Sequence, residues 1–250
     1  MKRTGSRSRQ GLHLVKAKHA CHNCDLRHLL RKTGIEEQQL PDAVCTIRCR
    51  GPYQPGDRIY RTGDPLSALY AITSGSVKTE YTTCTGALQV TGFYLRGDLF
   101  GVEALGEHSH TDDAIALETA WICELRTAEL ETLCAKHPEL TRGLFQVLNR
   151  RARNDTIHQV NVRKRTTEQR VMGFLQDFAE RSRARLTGVE DEIPLPMTKE
   201  DMASYLAITP ETLSRILRKL DDAGYIQTSV RAFRLLRAEP FPGVLDQDAG

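Results

Sequence analysis

The stretch Met197–Gly224, MTKEDMASYLAITPETLSRILRKLDDAG, decides the architecture of the C-terminal part of the chain. Thr198 is placed to cap a first helix, and Asp201, three residues on, completes a capping box. A tight turn falls at Ala207-Ile208-Thr209. Thr209 caps a second helix and Pro210 takes its first position, where a missing N–H costs nothing. In that helix Leu213, Ile216, Leu217 and Leu220 recur at helical spacing and define a buried stripe. Glu211, Ser214, Arg215 and Arg218 fall on another face, with Thr209 and Thr212 beside them at the helix start. A carboxylate accepts a hydrogen bond from cytosine N4, and a guanidinium reaches two acceptors on guanine. An ordinary amphipathic helix also shows a polar face. The compact turn and the cap-plus-Pro start favour a helix-turn-helix that binds double-stranded DNA.

The flanks of this stretch extend the pattern. Tyr225–Gln227 and Phe233–Leu236 enclose a short turn and read as a wing hairpin. Upstream, Glu168–Arg181 is amphipathic with Val171, Phe174, Leu175 and Phe178 inward, and a strand is expected at Ile193–Leu195. Pro138 opens a long helical stretch to about Arg165. Its apolar stripe of Leu140, Leu144, Val147 and Leu148 runs into Arg151, Asp155 and His158. Such a helix reads as a dimer seam of limited strength, involving Leu144, Leu148, Arg151 and Asp155, or as a helix laid on the chain's own β-domain.

From Ala43 to about Leu125 the texture is β. Leu69–Thr73, Val77–Thr82, Gln89–Tyr94 and Ala120–Leu125 have strand character, and Gly-containing turns such as Ser74-Gly75, Thr85-Gly86 and Gly97-Asp98 separate the short runs. That spacing predicts a small barrel or a double-sheet jelly roll. Thr127–Cys134 reads as a short helix. The expected class is α+β: an N-terminal β-roll or jelly roll, a long dimerisation helix and a C-terminal winged helix-turn-helix. The expected divisions are 1–36, a basic arm with a cysteine-containing sensory segment; 37–137, the β-roll; 138–167, the dimerisation helix; 168–237, the DNA-binding domain; and 238–250, a tail.

Charge is nearly balanced over the 250 residues, with 35 Lys and Arg against 32 Asp and Glu, so the chain is no polycation. The basic residues cluster instead. Residues 1–18 hold six and no acid, and residues 150–165 hold six against Asp155 alone. Such clusters favour phosphate contact, and they also suit a solvated surface. No apolar run approaches the about 18 residues of a membrane span, and the basic N-terminus lacks the apolar core of a signal peptide. A cytoplasmic protein without a membrane partner is expected. There the seven cysteines, Cys21, Cys24, Cys45, Cys49, Cys84, Cys123 and Cys134, are thiols or metal ligands in preference to structural disulfides.

The order of these parts resembles the CRP/FNR family of bacterial transcription regulators over about residues 19–237. The most specific pieces are Leu69–Gly75 (LYAITSG), Thr91–Leu99 (TGFYLRGDL), Ala116–Thr119 (ALET) and Thr209–Leu217. Within the family it resembles the FNR branch, whose recognition helix uses a Glu, a Ser and an Arg on a TTGAT half-site. Glu211, Ser214 and Arg215 match that E-x-x-S-R pattern, which implies the palindrome TTGAT-N4-ATCAA and a homodimer. Ala207 stands where that branch usually has Gly, and a left-handed Ala costs of order 1 kcal/mol. The resemblance also implies an RNA-polymerase contact around Ile72–Gly75 and Cys84–Leu88, with Gly86 the clearest match. Asp155 lies where the family keeps a seam carboxylate whose repulsion holds the apo form apart. Cyclic AMP is not expected, because Asp112 and Asp113 stand where an Arg-Ser pair would hold the cyclic phosphate.

The same resemblance implies a [4Fe–4S] cluster on four thiolates, the soft ligands that such clusters require. Cys21 and Cys24 match the first two positions and Cys123 the distant one, but the remaining position is Leu30. Three readings stay open. A substitute ligand completes the set, with His28, His22, Asp25, Cys45 and Cys49 in view; the chain has lost its cluster and senses nitric oxide through haem, or thiol oxidation; or Cys21 and Cys24 bind zinc. If Val44–Cys49 is a strand, Cys45, Ile47 and Cys49 share one face as core residues. Cys84 is expected to be exposed and Cys134 to pack on a helix.

An enzyme reading rests on His108-Ser109-His110 with Glu118 downstream, a pattern near a cupin metal motif. The Glu lies eight residues past the second His, and no second motif follows. Gly106–Asp113 is therefore expected to be a polar exposed loop, and no catalytic function is assigned.

Overall fold

The computed structural model describes residues 48–183 except 139, 147, 150, 151 and 154–164, then residues 192–237, and the backbone of residues 13–16. The expected arm with Cys21, His22, Cys24, Asp25, His28 and Leu30 lies outside the described residues, as do Cys45, Arg151, Asp155 and the tail.

Among the described residues nine strands build the β-roll: β1 (His13–Lys16), β2 (Arg48–Tyr53), β3 (Arg58–Tyr60), β4 (Ala68–Ser74), β5 (Val77–Thr82), β6 (Leu88–Tyr94), β7 (Leu99–Phe100), β8 (Asp113–Ala116) and β9 (Ala120–Arg126). They form a five-stranded sheet in the order β1-β2-β9-β4-β7 and a four-stranded sheet in the order β3-β8-β5-β6. Successive strand residues face opposite ways, and β4 shows the consequence. Ala68, Tyr70 and Ile72 join Tyr60, Val77, Phe100 and Ala114 in the core between the sheets. Leu69 and Ala71 point to the outer face, where they meet Cys49, Leu99, Cys123 and Leu125. Gly75 closes the turn after β4 at φ +81°; a Cβ there would lie 2.6 Å from the Thr119 carbonyl oxygen.

The outer face of the larger sheet is apolar and must be covered. Helix α1 (Ala104–Glu107) and helix α2 (Thr127–Lys136) follow β7 and β9. A connecting helix then takes in positions 138, 140–146, 148, 149, 152 and 153. Leu140 is fully buried on that face, and Leu144 and Leu148 pack beside it. Part of the stripe expected as a dimer seam is thus occupied within the chain. Among the described residues of this helix, Phe145 is a large apolar side chain left in solvent.

The C-terminal unit holds α3 (Thr167–Arg183), β10 (Ile193–Pro194), α4 (Lys199–Tyr205), α5 (Pro210–Asp222), β11 (Ile226–Thr228) and β12 (Ala232–Leu235). β11 and β12 pair antiparallel as the expected wing, and β10 adds on the other side of β12. Its core is made by Val171, Leu175, Phe178, Leu213, Ile216, Leu217 and Leu220.

This unit docks on the β-roll through α4, which lies against β6, the end strand of the four-stranded sheet. An end strand has unpaired backbone groups. Here the Val90 N–H donates to the Ser204 hydroxyl at 2.9 Å, and the Gln89 amide donates to the Ser204 carbonyl. Val90 and Phe93 enter the same apolar cluster as the helix-turn-helix core. Two cations bridge the polar rim. Lys78 lies 2.6 Å from Asp201 and 2.9 Å from Glu80, and Arg181 donates to Asp98 at 2.9 Å and to the Phe93 carbonyl at 2.7 Å.

Candidate nucleic-acid interface and sensory core

Local chemistry sets α4 and α5. Thr198 accepts from the Asp201 N–H at 3.1 Å while the Asp201 carboxylate accepts from the Thr198 N–H at 3.2 Å, which is the expected capping box. The Thr209 hydroxyl accepts from the Thr212 N–H at 3.2 Å, and Pro210 opens α5. Ala207 sits in the turn at φ +53°, the left-handed region that favours Gly. Arg170 of α3 reaches into that turn and donates to the Leu206 carbonyl at 2.9 Å. Sequence reasoning did not single out Arg170, because its partner lies 36 residues away.

The four leucine and isoleucine side chains of the α5 stripe are buried, so the opposite face is presented outward. Glu211, Arg215 and Arg218 are exposed, as is Thr209, while Ser214 and Thr212 are half-exposed. The Glu211 carboxyl is held below the usual glutamate range by its own backbone N–H and the Thr209 hydroxyl, so it is a carboxylate and can only accept. Arg231 and Arg234 are exposed on the wing, again unmarked by any sequence pattern.

The β-roll contains two features of different kinds. The first corrects an expectation. Gly106–Asp113 is not a polar exposed loop: Gly106 lies in α1, and His110 and Asp112 are buried. The His110 ring stacks on Tyr60 at 3.6 Å between centroids, and its Nδ1 is 3.2 Å from the Glu103 carboxylate. The Tyr60 hydroxyl donates to Glu103 at 3.1 Å, and Thr91 donates to Asp112 at 3.2 Å. Tertiary partners fold this polar stretch inward, and no local pattern could show that. Burial, followed by the charges of Glu103 and Asp112, pushes the Tyr60 hydroxyl far above its ordinary pKa. Burial also opposes ionisation of Glu103, but hydrogen bonds led by the one from His110 leave its carboxyl below the usual range. Asp113 is taken by Arg58 at 2.7 Å and by the Thr62 N–H at 2.8 Å. His108, His110 and Glu118 do not come together as a metal-binding group.

The second feature is the placement of the thiols. Cys49 of β2 lies directly opposite Cys123 of β9, and both are buried in the outer-face core. Cys84 is exposed and Cys134 is half-buried beside the same core, as expected of each. A thiolate-held metal group needs several soft donors near one another. Cys49 and Cys123 are two such donors, and among the described residues no group of three or more metal-ligating side chains forms.

A β-roll, a helix and a winged helix-turn-helix in that order define a DNA-binding transcription regulator. The comparisons with known proteins agree. Residues 169–239 match the model of the Crp-like helix-turn-helix domain, and residues 50–137 match that of the cyclic nucleotide-binding domain. The anaerobic regulatory protein of Pasteurella multocida is 34% identical over 206 residues, covering 82% of this chain and 75% of that protein. The fumarate and nitrate reduction regulatory protein of Escherichia coli K12 is 32% identical over 206 residues, or 82% of each chain. The structure of FixK2 from Bradyrhizobium japonicum superposes with a TM-score of 0.69 at 26% identity, covering 77% of this chain and 92% of that one. The chain belongs to the CRP/FNR family of transcription regulators. Among the described residues no helix is long and apolar enough to cross a membrane.

Proposed function

We propose that the protein is an FNR-type regulator that binds TTGAT-N4-ATCAA-like palindromes as a homodimer and reports oxygen or redox state to RNA polymerase in the cytoplasm. One observation carries the DNA reading: Glu211, Ser214 and Arg215 stand on the face of α5 opposite its buried stripe. Arg215 takes two acceptors of a guanine, and Glu211 accepts from a cytosine amino group. Thr209, Thr212 and Arg218 border that face, and Arg231 and Arg234 of the wing suit phosphates. The seam of the dimer is assigned to the connecting helix, through Arg151, Asp155 and the sides of the half-buried Leu144 and Leu148 that the β-roll leaves open. The exposed Phe145 extends it. The turn at Gly86, with Leu88 and Tyr81 exposed next to it, is assigned to the polymerase.

The sensory role is assigned to Cys21, Cys24 and Cys123, which supply three thiolates to an iron–sulfur cluster. When bound, that cluster supplies an oxygen-labile redox centre. This chain's own residues hold it and transmit its state: Cys123 lies in β9, whose outer face is covered by the connecting helix. Cyclic AMP has no role in this reading, since Asp112 and Asp113 offer a phosphate two carboxylates already engaged with Thr91 and Arg58. Leu30 supports a second reading, a cluster-less regulator that senses nitric oxide through haem or thiol oxidation.

The test is anisotropy titration of the anaerobically purified protein on the palindrome and on a scrambled duplex, before and after air. Preference for the palindrome that fades in air is expected. Equal affinity for both duplexes would remove the half-site assignment, and air-insensitive binding would remove the oxygen reading.

A further inference from the structure

The C-terminal unit is seated on the β-roll by contacts that base reading does not use. We infer that the seat of α4 on β6, centred on Ser204 and Phe93, holds the two recognition helices of the dimer at one separation and so selects the N4 spacer between half-sites. The inference rests on the palindrome and homodimer reading above and adds positioning residues to it.

Phe93 of β6 is the wedge. Its ring centroid lies 5.9 Å from that of Phe174 in α3 and 5.3 Å from that of Tyr205 in α4, and those two lie 5.5 Å from each other. A β-roll residue thus completes the core cluster of the DNA-binding unit. Ser204 meets the backbone beside it. Its hydroxyl accepts from the Val90 N–H at 2.9 Å and donates to the Leu88 carbonyl at 3.4 Å, so one side chain engages two backbone groups of an end strand. On its other side α4 packs on α5, across the turn that Arg170 braces. The path from β6 to Arg215 is therefore packed at each step, while Glu211, Arg215 and Arg218 stay exposed. The seat leaves the reading face open, and what it restricts is orientation. Paired recognition helices match half-sites one helical turn apart. One added base pair turns a half-site by roughly 35° and moves it about 3.4 Å. A seated α5 cannot follow that displacement, whereas a helix-turn-helix held by the chain alone can. The gain from pairing depends on effective concentration, which is highest where the geometry fits.

The full-length, anaerobically purified protein is titrated by anisotropy on duplexes with N4, N5 and N6 spacers and on a single half-site. The parent protein is expected to favour N4 over N5 and N6 by about a hundredfold, within the range that joining two sites provides. Ser204→Leu removes the acceptor of the Val90 N–H and adds bulk at a 2.9 Å contact without changing charge. It is expected to leave single half-site affinity at the parent value, because its reading face is untouched. Its preference for N4 is expected to shrink to about tenfold or less, through weaker binding to N4, with N5 and N6 still bound more tightly than the single half-site. Ser204→Thr keeps the hydroxyl and is expected to match the parent protein. An N4 preference that survives in Ser204→Leu would overturn the inference, as would one lost equally in Ser204→Thr. Lower single half-site affinity in Ser204→Leu would mark Ser204 as a packing residue of the DNA-binding unit and overturn it too. A fall to the single half-site value on every duplex would instead place Ser204 in the dimer seam, with the same consequence. A parent protein that binds all three spacers alike, yet more tightly than the single half-site, would overturn the inference and leave the palindrome reading standing. A parent protein that gains nothing from the second half-site would overturn both.

Discussion

The Lys78 ammonium lies 2.6 Å from the Asp201 carboxylate and so ties the β-roll to the helix that carries the DNA-reading turn. Asp201 has a second task, since the same side chain closes the capping box of α4. Asp201→Ala is therefore expected to cost more than Lys78→Asn: about 1 kcal/mol for the cap plus the tie. Lys78→Asn leaves Glu80 and Asp201 facing one another without a cation. It is expected to lower the melting temperature and to enlarge the particle in small-angle scattering as α4 leaves β6. An unchanged radius would show that the apolar contact through Val90 and Phe93 suffices.

The same tie has a pH limit. Burial opposes the charge on Lys78, but hydrogen bonds to Asp201 and Glu80 more than compensate and raise its pKa. A raised folded value means the stabilisation is complete below the unfolded value, about 10.4, and is lost as pH rises through the folded one. Neutral solutions should keep the units docked. Scattering between pH 8 and 11 checks this, with expansion expected only at the alkaline end.

Ala207 is strained at φ +53° in the turn between α4 and α5. Ala207→Gly is expected to stabilise the protein by up to about 1 kcal/mol, because relief of the left-handed strain outweighs the added freedom of the unfolded chain. Arg170→Ala, which removes the donor to the Leu206 carbonyl, is expected to destabilise by about 1–3 kcal/mol. Chemical denaturation of the two variants should move the midpoint in opposite directions.

Arg215→Ala is expected to cost about 1–3 kcal/mol of operator affinity and to relax the preference at the guanine. Titration on the palindrome and on a guanine-substituted palindrome separates the alternatives. Equal loss on both duplexes would make Arg215 a phosphate contact.

Glu103 anchors the buried His110 and Tyr60 pair, and its lowered pKa carries the opposite sign to that of Lys78. The stabilisation is present above the unfolded glutamate value, about 4.3, and fades as pH falls through the folded one. Glu103→Leu should thus be less stable than the parent protein at pH 7, with the difference narrowing toward pH 3. Denaturation at the two pH values measures this.

Asp155→Ala is expected to give a dimer that persists in air, because it removes like-charge repulsion from the proposed seam. Phe145→Asp is expected to do the reverse, since it places a charge on the exposed apolar side chain of the connecting helix. Sedimentation velocity reads both. An unchanged monomer fraction in Asp155→Ala would place that residue away from the two-fold axis.

The amino-acid sequence by itself determined what depends on neighbours within a few residues. The Thr198 and Asp201 capping box, the Thr209 cap with Pro210, the buried face of α5 and the strained Ala207 were all legible, because helix periodicity and capping are local physics. The strands β4, β5, β6 and β9 were legible from short β-branched and aromatic runs set off by turn glycines. Only the tertiary structure decided the rest. His110 and Asp112 looked like solvated loop residues, and they are buried because Tyr60, Glu103 and Thr91 meet them from other elements. Leu140 belonged to a stripe that suited a dimer or the β-roll, and the open outer face of the larger sheet claimed it. Cys49 and Cys123 are 74 positions apart in the chain, and only strand register, a non-local property, sets one against the other.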